Sequence, residues 1–373
     1  MNSESKTKVL MSVGGGKGGV GKSIFAIALG TAYARDGRKV ALVDLDLGAA
    51  NLHTYLGITK ATPTLADFIL KRVPTLEELL INTSVKNMQL ISGAEFVPGM
   101  ANPAHWMKLK IMRHVRALPA DVVIIDLGAG VHFNTLDFFS MSDRGIVITA
   151  PEPGAVMNAY SFVKGSLFRK LQGIFKKHPE IGPIIEAKSK KTGDNESFSI
   201  DWLTAKIKDT DPAMLPLIEE VEHSYCPALI INRAPEGRKH VLVDNLISLC
   251  TDRLNVKLQH LGNLPDIKEI SGYLLNIPRF LGTAYGTPYR VAVQVIADML
   301  LNPSEPAASE VVIKSVFNDA DIESILKYMD GLDKKTFEGT SLEAMKMRIH
   351  FKPLEVVKFL IKRGCSSDSF LAG

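Results

Sequence analysis

Cysteine is scarce in this chain. Cys226, Cys250 and Cys365 stand far apart among 373 residues, which excludes a disulfide framework and any Cys-x-x-Cys metal pair and suits a reducing cytosol. Long apolar runs are missing too: nowhere do about eighteen uncharged apolar residues follow one another, the length a membrane-crossing helix needs. The N-terminal MNSESKTK is polar and has no apolar core of signal-peptide length. The expectation is a cytoplasmic protein that touches membrane, if at all, peripherally at the inner face of the cell membrane. Net charge is only +4, too little by itself to imply nucleic acid or membrane as a partner. Internal repeats are absent. With 46% hydrophobic and 23% charged residues the composition is globular, and the length suits one large α/β domain with an appendage, or two domains.

What is present begins at Gly14-Gly-Gly-Lys-Gly-Gly-Val-Gly-Lys-Ser23. Read as Gly16, four residues, Gly21, Lys22 and Ser23, it is a P-loop. Glycines allow consecutive backbone N–H groups to turn onto phosphate oxygens, Lys22 reaches the β and γ phosphates, and the Ser23 hydroxyl is placed to ligate Mg²⁺. The context agrees: residues 8–13 read as a short apolar strand, and 23–35 as a helix whose N-terminal dipole adds to an anion site. Further apolar, β-branched runs lie at 39–44, 88–92, 122–126, 145–150, 228–232 and 258–262, separated by helical patterns at 105–118, 155–175, 238–254 and 288–301. Most of the runs do not alternate, as expected of strands covered on both faces. The fold expected is therefore α/β, a mainly parallel, doubly wound P-loop sheet with helices on both faces, and ligands at the carboxyl ends of its strands. Two segments break the rhythm. A mostly helical insertion is read at about 165–225, with a polar, mobile tip at 188–197, and a linker near Asn302-Pro303 divides a domain over 1–305 from a small helical tail over 306–373.

Carboxylates complete the pattern. Asp44 and Asp46 end the second strand ahead of a loop containing Asn51, where a nucleotide-sensing switch would lie. Asp126 closes VVIID as the candidate Mg²⁺ carboxylate, and Gly128-Ala129-Gly130 permits a second mobile loop beside it. Hydrolysis needs an oriented water and cations at the phosphates, so Asp46 is assigned to the water and Asp44 to the support of the metal shell.

The second lysine of the loop, Lys17, is one that a P-loop does not require. KGGVGKS (17–23) resembles the deviant Walker A signature of the MinD/ParA family, VDLDLGAANL (43–52) its switch I, and DLGAG (126–130) its switch II. TAPEPGAVMNAY (149–160) is similar to the Pro-Glu-Pro segment of MinD relatives, especially the FlhG-like branch. The resemblance covers roughly 7–301. It implies ATP and Mg²⁺ as cofactors, with Gly16, Gly18, Gly19, Val20, Gly21, Lys22 and Ser23 around the phosphates and Asn232, Pro265 and Asp266 at the adenine. It further implies an ATP-dependent homodimer in which Lys17 of each subunit reaches the nucleotide of the other, as an arginine finger does. Such a switch hydrolyses ATP slowly, under stimulation by a partner, and positions or recruits a cargo protein at a cellular site, flagellar or division.

Attachment has two readings. In 346–363 (KMRIHFKPLEVVKFLIKR) six Lys/Arg accompany one Glu, and Leu354, Val357, Leu360 and Ile361 can share a helix face. Such a helix can lie on an anionic membrane or dock on its own domain. Alternatively, a ParA-like partition ATPase would bind DNA through basic residues such as Lys164, Arg169, Lys170, Lys176 and Lys177. A cofactor-loading relative would need closely placed cluster cysteines, which this chain lacks.

Overall fold

The computed structural model describes residues 8–47, 50–59, 63–93, 103–176, 178–190, 200–234 and 241–302. The tail at 306–373, with its basic stretch 346–363, and most of the polar tip at 188–197 lie outside these. Eight strands form one sheet: β1 (Val9–Gly14), β2 (Val40–Leu45), β3 (Ile81–Asn82), β4 (Met88–Ile91), β5 (Val122–Leu127), β6 (Arg144–Thr149), β7 (Ala228–Ala234) and β8 (Gln259–Pro265). Their order is β3-β4-β2-β5-β1-β6-β7-β8. Every pairing is parallel except that of β3 with β4. The expected doubly wound plan is the one observed, with β3 as an antiparallel edge that the sequence reading did not contain. Two residues are too short a run to carry a pattern.

Helices cover both faces. They are α1 (Lys22–Arg35), α2 (Leu52–Tyr55), α3 (Leu65–Ile69), α4 (His105–Ala117), α5 (Phe133–Ser140), α6 (Pro153–Phe175), α7 (Ile181–Lys190), α8 (Ile200–Thr210), α9 (Leu215–Ser224), α10 (Val241–Leu254), α11 (Ile277–Leu281) and α12 (Thr287–Leu301). Because side chains alternate along a strand, each strand feeds two cores. Met11, Val13, Val122 and Ile124 pack with Phe25 and Leu29 of α1, Phe280 of α11 and Val293 of α12. Leu10, Val123, Ile125 and Val147 point the other way, to Ile111 of α4, Leu136 of α5, Phe162 of α6 and Leu246 of α10. This double burial explains the unbroken apolar runs: a polar residue on either face would face a core.

The helices that no βα unit requires, α7–α9, span 181–224, inside the stretch read from sequence as an insertion. Ile181, Ile185, Leu203, Ile207, Ile218 and Val221 extend the core of the α6 face instead of forming a separate one. On the opposite face, the fully buried Tyr33 of α1 donates its hydroxyl to the Ala297 carbonyl of α12 at 2.9 Å. That bond ties the helix leaving the glycine loop to the last described helix. Tyr33→Phe removes this buried bond, while the Ala297 carbonyl keeps its place in the α12 ladder, and should cost about 0.5–1.5 kcal/mol in urea unfolding. An unchanged unfolding midpoint would show that the bond contributes nothing.

Candidate functional site

The carboxyl ends of β1, β2, β5, β6 and β7 meet at the loop 14–21. Gly21 takes φ +95 at the entry of α1, where a Cβ would stand 2.1 Å from Asn232 Nδ2. At Gly16 a Cβ would lie 2.0 Å from the Asn158 carbonyl oxygen of α6. Only glycine admits so close an approach, and the loop is thereby seated on α6 and β7. No side chain caps α1, so its first backbone N–H groups are left for an anion.

Lys22, in the first turn of α1, is 8% exposed, with its amine 3.5 Å from the Lys17 carbonyl oxygen. Burial lowers its pKa from the ordinary lysine value, and the charges of Asp126 and then Asp46 work against that loss. Asp126 is fully enclosed and accepts a hydrogen bond from Ser23, yet its Oδ1 is buried without any partner. A buried, unpaired carboxylate oxygen beside a hydroxyl and an ammonium has the donor chemistry of a Mg²⁺ and phosphate site. Burial pushes its pKa up to about 7.

Asp44 faces Asp126 across the β2–β5 ladder. Its Oδ1 accepts from the Asp46 amide at 3.1 Å, and its Oδ2 from the amides of Asn51 and Leu52 at 3.0 and 3.1 Å. Asp44 thus clasps the loop that follows β2. Burial, and then the charge of Asp126, push its pKa up to about 8 in spite of those donors. Asp46 lies against the second glycine loop, where a Cβ on Gly128 would be 2.9 Å from its Oδ1.

Lys17 is held within its own chain. Its amine pairs with Glu152 Oε2 at 2.8 Å, while Arg233 approaches Glu152 Oε1 at 3.4 Å. Glu152 is the middle residue of Pro151-Glu152-Pro153 and precedes α6, whose first residue is Pro153. The Lys17 hydrogen bond, with the charges of Lys17 and Arg233, holds its carboxyl below the usual range. Arg233 takes φ +54, a left-handed backbone that a non-glycine residue adopts at a cost. Sequence reasoning used Pro-Glu-Pro as a family mark and missed this contact. Its only sequence signal is an acidic residue fixed between two prolines.

The remaining assigned residues occupy the same rim. Asn232 donates Nδ2 to the Val20 carbonyl at 2.8 Å, fastening β7 to the loop. Pro265 stands opposite Ala234 at the end of the β7–β8 ladder, and Asp266 follows it. Of the basic residues read from the sequence along α6, Arg169 is paired with Asp137, and Lys177 lies outside the described residues. No helix among the described residues is long and apolar enough to cross a membrane.

The profile of the CobQ/CobB/MinD/ParA nucleotide binding domain matches residues 11–336, and the chain belongs to that family. It is similar to the antiactivator FleN of Pseudomonas aeruginosa, 31% identical over 163 residues, which cover 42% of this chain and 55% of FleN. It is also similar to the flagellum site-determining protein YlxH of Helicobacter pylori, 27% identical over 172 residues, or 44% of this chain and 55% of YlxH. The chain spans about half the length of the curated relatives it matches. Among solved structures, the cell division ATPase MinD of Pyrococcus furiosus superposes with a TM-score of 0.51 at 18% identity, over 79% of this chain and 100% of that one. At that identity the likeness concerns the fold alone.

The buried carboxyls set a pH dependence in the ligand-free protein. Both pKa values lie above the ordinary aspartate value, so between about pH 4 and 8 the folded state binds more protons than the unfolded one, and stability falls as pH rises. Each carboxyl adds up to about 1.4 kcal/mol per pH unit within its window. Asp126→Asn should flatten the decline in chemical-denaturation stability between pH 5 and 7. A decline of equal slope in the variant would overturn the assignment.

Proposed function

We propose that the chain is an ATP-binding and hydrolysing switch that dimerises with ATP and positions or recruits another protein. The observation that carries the reading is the unpartnered Asp126 Oδ1 beside Ser23 and the buried Lys22, under a glycine loop. Family membership and the site-determining relatives FleN, YlxH and MinD add to it. When bound, ATP would supply the phosphoanhydride and Mg²⁺ the positive charge beside it. Gly16, Gly18, Gly19, Val20 and Gly21 present backbone N–H groups to the phosphates, and Lys22 balances the charge that develops there. Ser23 and Asp126 hold the metal, Asp44 supports that shell by fixing the loop after β2, and Asp46 orients the water. Asn232, Pro265 and Asp266 bound the adenine.

Lys17 serves the second subunit, so each site is complete only in the dimer. Its pairing with Glu152 is half-exposed on both sides. Such pairs contribute between nothing and about 1 kcal/mol, little against a triphosphate, so Lys17 can leave Glu152 when a partner's nucleotide arrives. Turnover is slow without a stimulating protein, in the cytoplasm or at the inner face of the membrane, with 346–363 as the candidate contact.

Three variants test the reading. Lys17→Ala should bind ATP and stay monomeric by light scattering, and an ATP-dependent dimer in that variant would sink the role in trans. Asp46→Ala should accumulate as an ATP dimer with little phosphate release; turnover near that of the unmodified protein would refute the water assignment. Glu152→Gln removes the competitor for Lys17, and the ATP dimer should tighten by up to about fivefold in sedimentation equilibrium. A looser dimer would instead mean that Glu152 works within the interface.

A further inference from the structure

Two cations share one carboxylate where α4, α5 and α6 meet. Lys108 pairs with Asp137 Oδ2 and reaches Asn134 Oδ1 at 3.0 Å, while Arg169 reaches Asp137 Oδ1 at 2.6 Å. The Lys108 and Asp137 side chains are 7% and 6% exposed, and that of Arg169 is 20% exposed. Buried charge is costly unless balanced, and within this group one positive charge is left over. The group lines a cavity of about 640 Å³ that Lys170, Lys176 and Glu186 also line, so four cations there face two carboxylates. From outside the cavity Glu220 also acts on Lys170, whose pKa burial nevertheless lowers. Gly182 and Pro183 of α7 supply a wall. One of the helices that the βα plan does not require, α7, thus helps to enclose this basic surface.

The described chain ends beside it. Met299 and Leu300, in the last turn of α12, line a neighbouring cavity together with Ser140 and Lys170, and both of those also line the basic one. After Asn302 come thirteen residues (303–315), a length that can extend up to about 45 Å. Then follows VFNDADIESILKYMD (316–330), with Asp319, Asp321, Glu323 and Asp330 against Lys327, and with Phe317, Ile322 and Leu326 among them. The later stretch 346–363 has the opposite charge and would be repelled. The apolar residues of the acidic segment also have a counterpart, since Ile174 on the cavity wall is 40% exposed.

We propose that the acidic segment 316–330 docks in cis on the basic cavity between α4, α5, α6 and α7, its carboxylates balancing the charge that Asp137 leaves over. The docking does not depend on the ATP reading. One consequence does: α5 follows the 126–130 loop closely, so a docked segment would bear on the nucleotide side.

The full-length protein tests it, as an equal mixture of ¹⁴N- and ¹⁵N-labelled copies treated with a zero-length carbodiimide and mapped by mass spectrometry. Links are expected from Lys170 or Lys176 to Asp319, Asp321, Glu323 or Asp330 within copies of one isotope. A tether gives an effective concentration of about 1 mM, so a segment of ~0.1 mM affinity is docked about ten to one, and Lys176 should acetylate about tenfold more slowly than in the variant Asp319→Lys/Asp321→Lys/Glu323→Lys. Lys170→Glu with Lys176→Glu should abolish the links, and combining both sets should restore them with reversed polarity. The reversals in the segment leave the described domain unaltered, so their effect is not one of misfolding. Absence of links with equal Lys176 reactivity would overturn the proposal. Links of which about half join different isotopes, the proportion that random pairing of two copies gives, would overturn the cis assignment.

Discussion

Burial of one lysine among carboxylates is the constraint on which the rest of the molecule depends. Lys22 is drawn out of water at the start of α1, which lowers its pKa, and the charges of Asp126 and Asp46 work against that loss. Asp126 in turn tolerates burial next to Asp44 only with that lysine and Ser23 beside it. Parallel pairing of β2 with β5 brings the two aspartates level, and pairing of β1 with β5 brings the loop to them. A one-residue slip in either ladder would turn a charge into an apolar core. The same burial that destabilises the ligand-free protein prepares the site for an anion and a cation, a stability cost commonly seen where function is concentrated.

Two lysines of different kinds sit five residues apart in the loop. Lys22 is enclosed and its contacts are fixed by the fold, whereas Lys17 is half-exposed and held by one carboxylate at the surface. The first is an element of the resting structure. The second is available to a competitor, and Glu152, pinned between two prolines, has little freedom to follow it when it leaves.

Much of this was legible in the sequence because the sheet is covered on both sides. Runs such as VVIID and ALIIN carry no alternation to blur them, and the carboxylates that end them stand out against apolar neighbours. The glycine loop was legible for a related reason, since close approach to Asn158 and Asn232 leaves no alternative residue. What stayed hidden is non-local. Nothing near Glu152 in sequence announces Lys17, nothing near Asn232 announces the Val20 carbonyl, and the sharing of Asp137 by Lys108 and Arg169 joins three helices. Local spacing also missed β3, whose two residues are set by the partner strand and not by their own pattern.

That short β3 has a wider meaning. An eight-stranded sheet exposes two edges, each a row of unpaired backbone groups able to recruit another chain. Here one edge is closed by two antiparallel residues, and at the other β8 breaks register opposite Leu229 and Ile230, with Gly262 at φ +150. Both flanks are therefore poor templates for strand addition. With strand addition disfavoured at both flanks, the fold is guarded against the edge-to-edge contact that grows into aggregates.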